Sequence, residues 1–348
     1  MSNRMMKAAV YYPGMGIQID ERPIPVPGSD QLLVNVRAAG ICGSDIHYYR
    51  DGHIGDWWIK QPHVLGHEFA GTIASIGAEV SGFALGDPVV IEPIIPCEQC
   101  FACRTGFYNL CSNLRFTGSP HTDGAFQEYV ITRPRFTHHL PDGIDFELAS
   151  LVEPTSVAVH AVRRSRMQVG DSVVVVGAGP IGLLILAVAL ASGATLTCVT
   201  DLDSARLLKA QELGATMTVN VAEDNTIAMQ RLSGGVGADI VFEAVGSART
   251  LDAALRLVRP GGRLVVVGVS PEAKVEFDMM SAQSKEVDVI PVYLGRNAFP
   301  VALNLLASGR INARSLVTHR FPLEEMKVAL ETAVSKRENA IKVLMTTA

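Results

Sequence analysis

The chain has 348 residues, a formal net charge of −5, 48% hydrophobic residues, 31 glycines and few aromatics. That length suits two domains with sizeable cores, and a mildly acidic chain without a long basic run excludes nucleic acid as the expected partner. The most apolar stretch, around 181–191, is about half of the roughly 20 residues a membrane span needs, and the N-terminus lacks a signal-like apolar run, so a cytoplasmic protein is expected.

The first 150 residues read as β-rich. Short alternating runs such as 32–37, 71–76 and 88–91 are separated by Gly and Pro, with short turns near Ser44 and Cys100. The character changes near Glu153. A β-branched run at 172–176 is followed by a helix over 180–192 with Pro180 in its first turn. A strand at 196–200, a helix at 204–213, a strand at 239–244, a helix at 250–258 and a strand at 263–269 continue the rhythm of a doubly wound parallel sheet. After about Leu294 that rhythm stops. A helix near 299–307 and a strand near 340–345 are expected to return to the first domain.

Residues Gly177, Ala178, Gly179, Pro180, Ile181 and Gly182 form G-x-G-x-x-G after a strand and at the start of a helix. Gly177 permits the tight turn, Gly179 lets the backbone approach a pyrophosphate, and Gly182 allows close helix–strand packing. The helix N-terminus offers free N–H groups to the anion. Asp201, nineteen residues after Gly182, stands where a carboxylate accepts hydrogen bonds from the adenosine ribose, which favours NAD over NADP. Arg206 is a candidate for packing on adenine or for tolerating some NADP.

Two sets of metal donors stand out. Cys97, Cys100, Cys103 and Cys111 follow a C-x2-C-x2-C-x7-C spacing in a turn-rich segment, the pattern of a closed structural zinc site, with iron–sulfur ligation as the competitor. The second set is dispersed: Cys42, His67, Glu68 and Glu153 together supply the S, N and O donors of a catalytic zinc with an open position.

The segments Gly-Ile-Cys-Gly-Ser-Asp at 40–45, Gly-His-Glu at 66–68, the cysteine lobe, Arg115-Phe116, Glu153-Pro154, the 177–182 turn, Thr-Asp-Leu at 200–202 and Val-Thr-His-Arg-Phe-Pro at 317–322 carry a resemblance over essentially the whole chain. The sequence resembles the medium-chain, zinc-dependent alcohol dehydrogenase superfamily, and within it the sorbitol (L-iditol) and xylitol dehydrogenase group. The fold then expected is α/β: a β-rich GroES-like catalytic domain over 1–152 and 295–348, and a Rossmann NAD-binding domain over 153–294. The resemblance implies Cys42 and His67 as catalytic zinc ligands, with Glu68 or Glu153 as the third. It implies Ser44 and His47 as a proton relay and Tyr48 as pocket lining. Ile181, Asp201 and Arg206 match cofactor contacts, and Val267, Gly268, Val269, Val292, Tyr293 and Leu294 match backbone beside the nicotinamide. Sorbitol dehydrogenases carry a substrate-binding arginine where this chain has Leu294, and Arg296 is the candidate to replace it.

The expected function is oxidation of a secondary hydroxyl of a polyol by NAD, with two zincs per chain, in a homo-oligomer expected to be a tetramer. A sugar-acid (L-idonate-like) or simple secondary-alcohol dehydrogenase is the alternative, and a non-catalytic cofactor-binding sensor the remote one. The polyol preference is expected from Tyr48, Glu153 and Arg296, since a polar pocket penalises substrates lacking the matching hydroxyls.

Overall fold

The computed structural model describes residues 4–222, 235–270, 272 and 274–347. The chain divides into two compact units, one of Met1–Glu153, Ala302–Ala307 and Val317–Ala348, the other of Pro154–Val301 and Ser308–Leu316.

The first unit is built on the strand Leu32–Gly40, a largely buried run of small and branched residues. It pairs antiparallel with Glu68–Ile76 on one side and with the last strand, Lys342–Thr346, on the other, and also with Tyr129–Thr132. The seven-stranded sheet continues through Pro88–Ile91 to Thr137–His139 at one edge and through Lys342–Thr346 to Val317–Pro322 at the other. A hairpin of Met5–Tyr12 with Gly16–Pro23, joined by His63–Val64, forms a separate three-stranded sheet. Apolar side chains of both sheets, including Val10, Val36, Phe69 and Ile91, share one core with Phe126. The turn expected near Ser44 is a nine-residue helix, Gly43–Asp51, stopped by Gly52 in the left-handed conformation.

The second unit holds a six-stranded parallel sheet. Its order is Met217–Asn220, Leu196–Asp201, Ser172–Val176, Ala238–Glu243, Val258–Val266 and Asp288–Pro291. Ser172–Val176 is buried along its whole length, as a strand covered on both faces must be. The helix Pro180–Ala191 starts with Pro180 and buries every residue from Gly182 to Ala189, so its apolar stretch is a core helix. Asp203 caps Ser204–Glu212 by accepting from the amides of Ala205 and Arg206, and Ser247 caps Ala248–Leu257. One boundary and the two sheet edges differ from the sequence reading. The strand expected at 263–269 spans Val258–Val266, starting where the preceding helix stops, because Pro260 and two glycines do not sustain a helix. The two outer strands, Met217–Asn220 and Asp288–Pro291, were not anticipated; each is only four residues long, and three residues of the latter are exposed. Among the described residues no helix is long and apolar enough to cross a membrane.

Candidate active site and cofactor turn

The sheet of the first unit brings together residues far apart in sequence. Gly40 ends one strand, opposite Glu68 at the start of its partner, so Cys42 and His67 flank that pair. Donor atoms of Cys42, His67 and Glu68 all lie within 4.8 Å of one another. The approach is close enough to dictate composition: a Cβ on Gly40 would sit 2.1 Å from Glu68 Oε2.

Asp45 organises this corner. It is fully buried, accepts from the Cys42 amide at 2.9 Å and the Gly66 amide at 3.1 Å, and lies 3.6 Å from His67 Nδ1. A carboxylate behind a ligating imidazole fixes its ring and tautomer. The His67 ring also packs against Phe116, with centroids 5.0 Å apart. Burial disfavours the charged imidazole, yet Asp45 and Cys42 outweigh it and hold His67 well above its ordinary range.

Sequence reasoning missed Lys342. Its side chain is almost wholly buried, and Nζ donates to Glu68 Oε2 at 2.5 Å and to the Ile41 carbonyl at 3.0 Å. Glu68 Oε1 is left buried without a partner, on a side chain whose other oxygen is fixed. Glu153, at the start of the helix Val152–Arg164, is buried too, but its carboxyl is not among the atoms that converge. Burial pushes Glu153 up to about 7; Glu68 and Asp45 add to this, while His67 and Lys342 oppose it. The corner therefore holds acidic groups and a thiol against one lysine. Soft, borderline and hard donors converge, and the glutamate among them keeps an orphaned oxygen, which fits a divalent zinc.

The other predicted residues lie on the helix Gly43–Asp51. Tyr48 is buried, Ser44 is half-buried, and His47 Nδ1 lies 3.5 Å from Asp51 Oδ2. Arg50 donates to the same carboxylate and holds Asp51 below the usual carboxylate range.

The four clustered cysteines also converge within 4.8 Å. Tetrahedral zinc with bonds of about 2.3 Å places thiolates about 3.8 Å apart, inside that limit. The Cys97 amide donates to Cys111 Sγ at 3.2 Å. Amides of Cys103 and Ser112 bring the Cys100 thiol down to about 6, while burial and the neighbouring thiols push Cys103 up to about 12. The lobe has one four-residue helix, Phe101–Arg104, and exposes Phe101, Phe107 and Leu110. It has little core of its own, so a tetrathiolate metal suits it as organiser.

In the second unit Gly177 adopts φ +102°, and a Cβ on Gly182 would lie 1.9 Å from the Gly177 carbonyl oxygen. Both positions therefore require glycine, and Gly179 with Pro180 and Ile181 opens the helix. Asp201 is already engaged: Oδ2 accepts from the Ala178 amide at 2.6 Å and Oδ1 from the Asp203 amide at 3.0 Å. Arg206 Nη1 lies 3.8 Å from where a Gly179 Cβ would stand, so a cation borders the turn. A glycine turn at a helix N-terminus, with Gly179 half-buried and free of a side chain, fits a dinucleotide pyrophosphate. The amides of Val267 and Gly268 both donate to the Glu243 carbonyl, and Val269 is exposed. The Val292 amide donates to Val266 O, and Tyr293 is exposed. Leu294 takes φ +56° and Asn297 φ +51°, flanking Arg296. Burial and then the Arg296 guanidinium push His160 down to about 4.

Residues 28–142 match the family of the alcohol dehydrogenase GroES-like domain, and residues 180–308 the zinc-binding dehydrogenase family. The chain is 38% identical to a sorbitol dehydrogenase of Bacillus subtilis, over 98% of this chain and 97% of that one. Among solved structures, an Escherichia coli oxidoreductase/dehydrogenase of unknown specificity, involved in membrane biogenesis, superposes with TM-score 0.93 at 35% identity. It covers 99% of this chain and 100% of its own. L-idonate 5-dehydrogenase of Escherichia coli superposes with TM-score 0.89 at 30% identity, covering 99% and 98%. The chain belongs to the zinc-dependent medium-chain alcohol dehydrogenases, in the group similar to sorbitol dehydrogenases, and combines their GroES-like and Rossmann folds. It is an oxidoreductase.

Proposed function

We propose that this chain oxidises a secondary hydroxyl of a polyol, with NAD as acceptor. The observation that carries the reading is the convergence of donor atoms of Cys42, His67 and Glu68, on a glutamate that keeps one buried oxygen without a hydrogen-bond partner. Sorbitol dehydrogenase relatives at this identity support the polyol class.

Cys42, His67 and Glu68 Oε1 would hold the catalytic zinc, and Cys97, Cys100, Cys103 and Cys111 a structural one, two per chain. Bound zinc supplies Lewis-acid polarisation of a hydroxyl, and bound nicotinamide accepts the hydride. Lys342 balances Glu68 and keeps its second oxygen turned away. Asp45 holds the His67 ring in place. Ser44 Oγ takes the proton of the substrate hydroxyl and passes it towards His47, whose ring Asp51 steadies. Tyr48 and Glu153 hydrogen-bond further hydroxyls. Asp201 repels a 2′-phosphate, which favours NAD over NADP even with Arg206 at the turn.

Two coarser features accompany this reading. Among the described residues the six cysteines form no disulfide, which suits a reducing cytoplasm. The short outer strand Asp288–Pro291, with Val289 and Tyr293 exposed beside it, supports self-association, and we expect a tetramer. Light scattering checks this against the 37.2 kDa chain mass.

The test of function compares kcat/KM for xylitol, sorbitol and threitol with that for L-idonate and 2-butanol, read by NADH absorbance. Polyols are expected to lead by at least about tenfold, since each unmet buried partner costs roughly 1–3 kcal/mol. A lead for L-idonate that Arg296→Ala abolishes would move the substrate to the sugar acids.

A further inference from the structure

Glu243 ends the strand Ala238–Glu243, opposite Val176 on one side and Val266 on the other, at the carboxyl edge of the parallel sheet. It is 1% exposed. Oε1 accepts from the amides of Val245 and Gly246, each at 2.9 Å, and from the Thr250 hydroxyl at 2.8 Å. The backbone carbonyl of the same residue takes the amides of Val267 and Gly268 at 2.8 and 2.9 Å. One residue thus fastens the loop 244–247 and the loop 267–269 together.

Those bonds leave Oε2 unexplained. It is buried without a hydrogen-bond partner. A Cβ on Gly268 would lie 2.7 Å from it, so it faces the underside of the 267–269 loop. Among the described residues no lysine, arginine or histidine forms an ion pair with Glu243. A loop staple needs only the oxygen that accepts the three bonds; a neutral glutamine would serve. A buried anionic side chain without a cation is costly unless a positive charge arrives.

We propose that Glu243 sets the balance between oxidised and reduced cofactor, its carboxylate beneath the 267–269 loop favouring the cationic nicotinamide of NAD⁺ over the neutral ring of NADH. This rests on the reading above that the 267–269 loop passes beside the nicotinamide. The two cofactor forms differ there by one positive charge. A nearby opposite charge in partly buried protein discriminates between two such forms by about tenfold. Glu243 is not among the converging metal donors and is assigned a positioning and electrostatic role.

The test is isothermal titration of zinc-loaded protein with NAD⁺ and, separately, with NADH, for the wild type and Glu243→Gln. The amide keeps an acceptor for Val245, Gly246 and Thr250 and removes the charge. The expected result is an NAD⁺ Kd raised about tenfold with the NADH Kd within about twofold of wild type. Equal weakening of both, or an unchanged ratio, overturns the proposal and leaves Glu243 as a staple only. If circular dichroism shows that Glu243→Gln does not fold, Glu243→Asp replaces it. That variant keeps the charge and shortens the reach, so it must weaken both forms alike; a selective change in either overturns the proposal. Failure of the wild type to bind either form would instead sink the functional reading itself.

Discussion

Lys342 and Glu68 form an ion pair with both side chains at most 2% exposed. Taking either charge away strands the other in a medium that solvates it poorly, at a cost of about 3–5 kcal/mol. Lys342→Met is therefore expected to destabilise zinc-free protein by about 3 kcal/mol, and zinc-loaded protein by less, because the metal supplies a substitute positive charge. Urea unfolding with and without zinc measures this; an equal loss in both would separate Lys342 from the metal corner. Cys42→Ser is expected to reduce kcat/KM by about a thousandfold or more while leaving the unfolding transition nearly unchanged, since an open catalytic site contributes less to folding than a closed one. Asp201→Ala removes both the repulsion of a 2′-phosphate and the bond to the Ala178 amide. It should raise the KM for NAD about tenfold and narrow the gap to NADP. An unchanged ratio of kcat/KM for the two cofactors would show that Asp201 does not discriminate between them.

The strand ends of the second unit are tied by polar side chains at the starts of largely apolar strands. Asp239 accepts from the Ser172 amide at 2.8 Å and from its hydroxyl, and Arg259 donates to its other oxygen at 2.8 Å. Burial opposes the charged form, but the Ser172 bonds and Arg259 outweigh it and bring Asp239 down to about 2. A depressed carboxylate stabilises the fold above its unfolded pKa of about 3.9, and that contribution fades as pH falls towards 2. Asp239→Asn should accordingly lower Tm at pH 7, with the difference from wild type shrinking below about pH 4. A difference constant across that range would mean that the charge is irrelevant. The cysteine lobe is the opposite kind of element, with four converging thiols where the sheet has side-chain ion pairs. Cys97→Ser is expected to lower Tm and expose the segment 97–111 to protease, with a smaller effect on kcat in molecules that stay folded.

Legibility in the sequence followed locality. The strand, glycine turn, helix and Asp201 occupy one short stretch, and each is marked by residue type, so the βαβ rhythm could be read directly. The four cysteines likewise mark themselves by spacing. Cys42, His67 and Glu68 could be picked as donor types, but their meeting depends on the pairing of Gly40 with Glu68, which periodicity does not reveal. Asp45 stood inside a quoted motif without a role; its position three residues after Cys42 is the spacing of a capping carboxylate, and that was the available signal. Lys342 offered none, being a single lysine at the start of an apolar run. Glu243 offered a faint one, a charge closing an otherwise apolar strand.

Across the whole molecule, two separate donor sets predict a metal content near two zincs per chain by inductively coupled plasma spectrometry of protein prepared without chelator. A value near one, with the 97–111 lobe still protease-resistant, would show that the lobe does not need its metal. The ion pair at the catalytic corner spans 274 positions of sequence, with Glu68 on an early strand and Lys342 on the final one. During synthesis Cys42, His67 and Glu68 leave the ribosome long before their counter-charge does. A nascent chain paused before residue 342 would present the three donors without the strand that closes the sheet beside them. Zinc retention by stalled chains of increasing length is then expected to rise in one step once residue 342 has emerged; a gradual rise would separate Lys342 from metal capture.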